Sequence, residues 1–136
     1  MDRLQLIAPD LVPVLAAASP VQRHRVASEV ARWVTSRVEH VPAEIAASLS
    51  GTPSPQFHQI VDRLDNEYLS LQAKEDVGEC TDEEVLAAFS RARAASCVAF
   101  AIAADAGETI YEVAVATDDI AAIREIVRSS LNPTAA

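Results

Sequence analysis

Six carboxylates fall within ten residues, Glu75, Asp76, Glu79, Asp82, Glu83 and Glu84, and only Lys74 beside them offsets the charge. The run lacks the Asp/Asn alternation and closing Glu of a calcium-binding EF-hand loop. One reading is local: Asp82, Glu83 and Glu84 stand where a helix should begin, and a helix dipole favours anions there. The other is functional. Asp62, Asp65, Glu75, Asp76, Glu79, Asp82 and Glu83 would form a docking edge for a cationic protein, because clustered charge speeds encounter and selects the partner.

Three arginines stand where apolar residues are expected. With Val26 at zero on a helical wheel, Arg37 falls at about 20° and Arg23 at about 60°, within the arc of Val30 and Val34; Arg93 falls between Leu86 and Phe100 in the same way. A buried guanidinium must be paired. Arg23, Arg37 and Arg93 therefore either meet carboxylates such as Glu75, or face one interhelical groove and clamp a small carboxylate or phosphate. His58 and Asp62 are one turn apart, as in a divalent-metal site or a general base with its orienting carboxylate, or as in a plain i,i+4 pair. HExxH, the ExxH pairs of di-iron bundles and GxSxG are all missing. The repeated ExxE of helical nucleotide pyrophosphohydrolases is missing too. No metal, cofactor or catalytic set is therefore expected. Cys97 reads as a small core residue, and Cys80 precedes a helix start, where a thiolate would be stabilised.

These residues must be positioned by helices. Leu4, Ile7, Leu11 and Leu15 keep helical spacing across Pro9 and Pro13, which predicts a short opening helix that restarts near Pro9 or Asp10. Ser19-Pro20 opens a second helix to about Glu39, and Pro42 a short third that ends near Gly51. The Pro/Ser-rich linker over 50–55 is the clearest break, and Ser54-Pro55 repeats the cap-then-proline signal. A fourth helix follows with Phe57, Ile60, Val61, Leu64, Tyr68 and Leu71 on one stripe. Thr81 and Glu84 make a capping box for a fifth, which runs to about Ala104 with a cap near Gly107. TIYEVAV at 109–115 has strand composition, but a lone strand leaves its backbone groups unpaired, so helix is expected. Thr117 is the expected cap of the last helix, with Ile120, Ile123, Val127 and Leu131 inward. The expectation is an all-α fold, a compact orthogonal or antiparallel bundle of about six to seven helices in a single domain over 1–136.

Composition narrows the function. Apolar residues are 50% and aromatics 4%, with three glycines and a net charge of −9. Small side chains predict close helix packing, and the glycine count disfavours a phosphate-binding loop. The charge is uneven, with six basic residues against sixteen acids in 41–136. Such a surface repels a phosphate backbone, so direct nucleic-acid binding is not expected. Two cysteines without a framework and an opening segment without a signal-peptide pattern predict a cytoplasmic location. The apolar run 94–104 is shorter than the roughly 20 residues a membrane span needs, so a buried central helix is expected there. Small, acidic and helical, with no catalytic signature, the chain resembles bacterial immunity or antitoxin-type proteins in general character. That resemblance implies a binding or inhibitory module that neutralises a basic partner, such as a toxin or nucleic-acid-binding protein. The alternatives are a small-anion-binding protein or enzyme that uses Arg23, Arg37 and Arg93, and a self-associating scaffold.

Overall fold

Ser19 shows how the local code becomes structure. Its hydroxyl accepts from the Gln22 amide at 3.1 Å while the Gln22 side chain takes the Ser19 amide at 2.8 Å, a reciprocal cap that starts a helix at Pro20. The computed structural model describes residues 3–132, and among them are eight helices and no strand. They are α1 (Leu4–Ile7), α2 (Leu11–Ala17), α3 (Pro20–Arg37), α4 (Ala43–Ala47), α5 (Phe57–Asp76), α6 (Asp82–Ile102), α7 (Ala106–Thr117) and α8 (Ile120–Leu131). The fold is an all-α bundle. As expected, the opening segment breaks at Pro9 and restarts, which gives the two short helices α1 and α2.

The centre is α6, which packs against α3, α5 and α7. Its buried residues Ala92, Ala94, Ala95, Cys97 and Val98 fall all round the helix, the mark of a helix with neighbours on every side. By length and composition α6 could cross a bilayer; here its inward positions are taken by the other helices. α3 turns Val26, Ala27, Val30, Ala31 and Val34 toward α6, α7 and α8. Alanines at these contacts let the helix axes approach closely. One hydrophobic cluster has members from all eight helices, from Leu4 to Val127. Arg124 closes the far side by donating two 3.1 Å bonds to Asp10 before α2.

The segment 109–115 is helical, within α7. Asp105 accepts from the Glu108 amide and so satisfies the first turn, while Thr109, Ile110 and Val113 are buried. Four helix ends differ from the sequence expectations. α4 stops at Ala47, short of Gly51. α5 starts at Phe57 without a side-chain cap, and the Ser54 hydroxyl is buried without a partner. α6 ends at Ile102, and Gly107 lies inside α7. The left-handed residue that closes α6 is Ala104, φ 59°, and the Asp105 amide reaches back to the Phe100 carbonyl at 2.9 Å. Asp119, not Thr117, caps α8 by accepting from the Ala122 amide, while the Thr117 hydroxyl bonds back to Val113 within α7.

The turn after α5 has the same wrapped geometry around Gly78, φ 77°, with the Glu79 amide donating to the Lys74 carbonyl at 2.7 Å. A β-carbon in this conformation costs about 1 kcal/mol or more. Ala104→Gly should therefore stabilise the fold by about 1 kcal/mol, and Gly78→Ala should destabilise it by a similar amount. Urea unfolding of the two variants checks the pair. An unchanged midpoint for both would remove the strain from Ala104. By the same measurement Ser19→Ala should cost about 1 kcal/mol, and Ser54→Ala, which removes an unpaired hydroxyl, should cost far less.

Candidate functional site

A single carboxylate sits at the junction of the helices that carry the candidate residues. Glu112 on α7 is only 3% exposed at its side chain. One of its oxygens accepts from Arg3 at 2.9 Å and the other from Arg93 at 3.2 Å. Arg93, on α6, continues to Asp65 on α5 at 2.6 Å. Arg3, just before α1, also binds Glu108 on α7 through two nitrogens and lies over the Tyr111 ring, 4.2 Å from its centroid. Four segments are tied by one chain of charges: Asp65, Arg93, Glu112, Arg3, Glu108. Paired with these carboxylates, the Arg3 guanidinium holds its proton even more firmly than usual. Within this network the Arg93 Nε is buried without a partner.

This network answers the arginine question. Arg93 is paired internally, but with Asp65 and Glu112 and not with Glu75. Arg23 donates to the carbonyls of Leu15 at 3.3 Å and Ala18 at 2.5 Å, closing the end of α2. Arg37 is 51% exposed at its side chain, pairs with Asp119 at 3.3 Å and stacks over Trp33. Arg23 and Arg37 are fourteen residues apart on one helix, which sets them about 21 Å apart along its axis. They line separate depressions, and Arg93 lines neither. The three arginines therefore form no common clamp. Glu112, missed in the sequence, had a readable signal: one acid inside the apolar run TIYEVAV, a position that demands a cation.

The acidic residues gather at the other end of α5 and α6. These helices pack as an antiparallel hairpin: Asp65 meets Arg93, Glu67 meets Arg91 at 3.2 Å, and Tyr68 meets Phe89 with ring centroids 5.1 Å apart. At the tip, Asp76, Glu79, Asp82, Glu83 and Glu84 are exposed and take part in no ion pair. Asp62 is exposed on the same helix, whereas Asp65 is committed to Arg93. Glu75 is half-buried and faces Asp82. A hydrogen bond to Asp82, then burial, then the charges of Asp82 and Asp76 push its carboxyl above the ordinary value of 4.5. Exposed Val77 (71%) and Leu86 (65%) stand among these charges, and Leu69 (56%) is two turns below.

The remaining candidates separate cleanly. His58 is exposed and meets the Phe57 ring edge-on, with no ion pair to Asp62. No group of three His, Cys, Asp or Glu among the described residues has the geometry to hold a metal. Cys80 donates its thiol to the Leu71 carbonyl at 3.0 Å. Desolvation, then Glu84 and Glu75, push that thiol up, so the helix start does not yield a thiolate. Cys97 is a buried core thiol, raised by burial and by the charge of Glu112.

The chain matches no family model, no curated protein and no solved structure.

Removing Glu112 would leave two guanidiniums without their shared acceptor. Breaking a buried pair costs about 3–5 kcal/mol, and Glu112→Ala should fall near the lower end because Arg3 keeps Glu108 and Arg93 keeps Asp65. A double-mutant cycle with Arg93→Ala by chemical denaturation measures the coupling; strict additivity would exclude the bridge. Glu75 titrates in the opposite sense to a salt-bridged acid. Its folded value is raised, so its pair with Asp82 favours the fold most below pH 4.5, and that contribution is lost as pH rises through the folded value. Glu75→Gln should therefore raise the melting temperature near neutral pH, and the gain should shrink on acidification. A gain that persists below pH 4 would place its origin elsewhere.

Proposed function

We propose that this domain is a protein-binding module that docks a basic protein partner on the acidic end of the α5–α6 hairpin, in the manner of an immunity- or antitoxin-type inhibitor. The observation that carries the reading is the position of the charges. Asp82, Glu83 and Glu84 lie at the first turn of α6, where the dipole favours them. Glu75, Asp76 and Glu79 lie at the end of α5, where it disfavours them, and Glu75 is held against Asp82. Packing within the chain gives no return for that repulsion. A cationic surface would relieve it on binding, and Val77 and Leu86 would supply apolar contact inside a polar rim.

The contact residues are Asp76, Glu79, Asp82 and Glu83, with Glu75 supporting Asp82; Asp62, fourteen residues back along α5 and so about 21 Å from Asp76, lies outside the contact. Asp65 leaves this set because its charge is used internally. The partner's class follows from electrostatics: a basic protein such as a toxin or nucleic-acid-binding protein, whose own anion-facing site the hairpin would cover.

Capture from the native host's lysate at low and high salt tests the reading with the full chain and two variants. Wild type should retain a stoichiometric basic protein at low salt and release it at high salt. The triple reversal Glu79→Lys, Asp82→Lys, Glu83→Lys should lose that protein, with association slowed by about tenfold or more, whereas Asp118→Lys should behave as wild type. A partner held equally by the triple variant would overturn the assignment, and so would the absence of any salt-sensitive basic partner.

A further inference from the structure

Away from the acidic end, a cleft of about 320 Å³ opens where the C-terminal ends of α3 and α7 meet the flank of α6. Arg37, Glu39, His40, Ser90, Arg91 and Thr117 are among its lining residues. In a chain of net charge −9, two arginines, from α3 and α6, line this cleft together with His40 from the loop after α3. The cleft lies at the lower end of the size range for small-molecule sites.

Neither arginine is used up. Arg37 gives one nitrogen to Asp119 at 3.3 Å, and Arg91 gives one to Glu67 at 3.2 Å. Asp119 and Glu67 are themselves 31% and 46% exposed, so neither pair is sealed from water. A guanidinium has five N–H donors in a planar fork, so each retains donors for a second acceptor. Arg91 is only 18% exposed, which sets its guanidinium against a protein wall where charge is poorly screened. Trp33 steadies Arg37 from behind, with the guanidinium 5.1 Å from the ring centroid.

The carbonyl ends of two helices would ordinarily disfavour an anion here. Local hydrogen bonds weaken that objection. The Ser90 hydroxyl donates to the Ala116 carbonyl at 3.3 Å, the Thr117 hydroxyl to Val113 at 2.8 Å, and the Val38 amide to Val34 at 2.9 Å. Glu39 also lines the cleft and opposes an anion there, but it is exposed, so its charge is open to screening by solvent. His40 holds a left-handed backbone, φ 63°, at the same cleft.

We infer that this cleft binds a small phosphate-type oxyanion, inorganic phosphate or a phosphate monoester, gripped by the guanidiniums of Arg37 and Arg91 with His40 as a third donor. Two forked donors match tetrahedral oxygens better than a single planar carboxylate, which one arginine would satisfy. The site shares no residue with the acidic end of the hairpin, so it stands or falls independently of partner docking.

The test is a titration of the full chain with inorganic phosphate, followed by the ¹H–¹⁵N signals of the arginine Nε groups, with sodium chloride holding ionic strength constant. Saturable shifts of Arg37 and Arg91 are expected, with weaker binding of acetate. Arg37→Gln, at a half-exposed position, and Arg91→Gln should each weaken phosphate binding by about tenfold or more. Arg128→Gln removes the same charge elsewhere and should leave it unchanged. His40→Asn keeps a side chain that tolerates the left-handed backbone and should weaken binding less than either arginine variant. Shifts that never saturate, that chloride reproduces, or that survive both arginine substitutions would overturn the site. Equal binding of acetate would overturn the phosphate assignment.

Discussion

A carboxylate in a protein interior is stable only if cations and hydrogen bonds replace the water it loses. Glu112 meets that condition by sharing its two oxygens between Arg3 and Arg93, and the arrangement constrains much of the molecule. Arg3 can reach Glu112 only if the chain start lies against α7, where α1 packs. Arg93 can reach both Glu112 and Asp65 only if α6 lies between α7 and α5. The register of the α5–α6 hairpin is thus fixed from its base by ion pairs and along its length by Tyr68 against Phe89. The apolar core supplies most of the driving force, being built from small side chains that pack in many ways. The charged network is specific where the alanines are not, since one helical turn of slippage would strand Arg93 beside apolar neighbours.

The same network organises the surface. Arg3 and Arg93 are used inside, Arg23 closes α2, and Arg124 reaches Asp10, whose carboxyl it holds below the ordinary range. Among the described cations only Arg25, Arg63 and Lys74 are left outside any ion pair or backbone hydrogen bond. Acids outnumber bases, so those without partners must collect somewhere, and they collect where α5 turns into α6. Their concentration follows partly from where the basic residues are used, and it leaves one end of the molecule with a dense negative field and three exposed apolar side chains.

Much of the fold was legible in the sequence because helix periodicity and proline-bearing starts are local signals. The stripes of α3 and α5 and the Ser19 cap follow from neighbours within a few residues, whereas the helical state of 109–115 followed, against its local composition, from the lack of a partner strand. The helix ends were less legible for a definite reason. Sequence reading looks for glycine at a left-handed C-cap, and α6 closes with Ala104 instead, its strain outweighed by the Asp105 cap that starts α7. Thr117 was a plausible cap beside a better one, Asp119, which the tertiary pair with Arg37 also favours. At the candidate site, the acids of the hairpin tip could be read as a run. The partners of Arg93 could not, since its separations from Asp65 and Glu112 are set by which helices become neighbours. Periodicity records only that a side chain points inward.

Rigidity and charge meet in the hairpin. An acidic loop on a flexible tether would lose ordering entropy on every encounter, whereas one mounted on two long helices presents its carboxylates already placed. The turn is pinned by Gly78 and by the Glu79 amide on the Lys74 carbonyl, and the base is pinned by Arg93 and Glu112. The fold brings Glu75 and Asp82 together, and that proximity raises the Glu75 carboxyl. The hairpin thus carries its unpaired acids at the turn and its paired one, Asp65, toward the other end. Under the proposed docking, a cationic surface would meet carboxylates already in place, and the helices beneath would need little rearrangement.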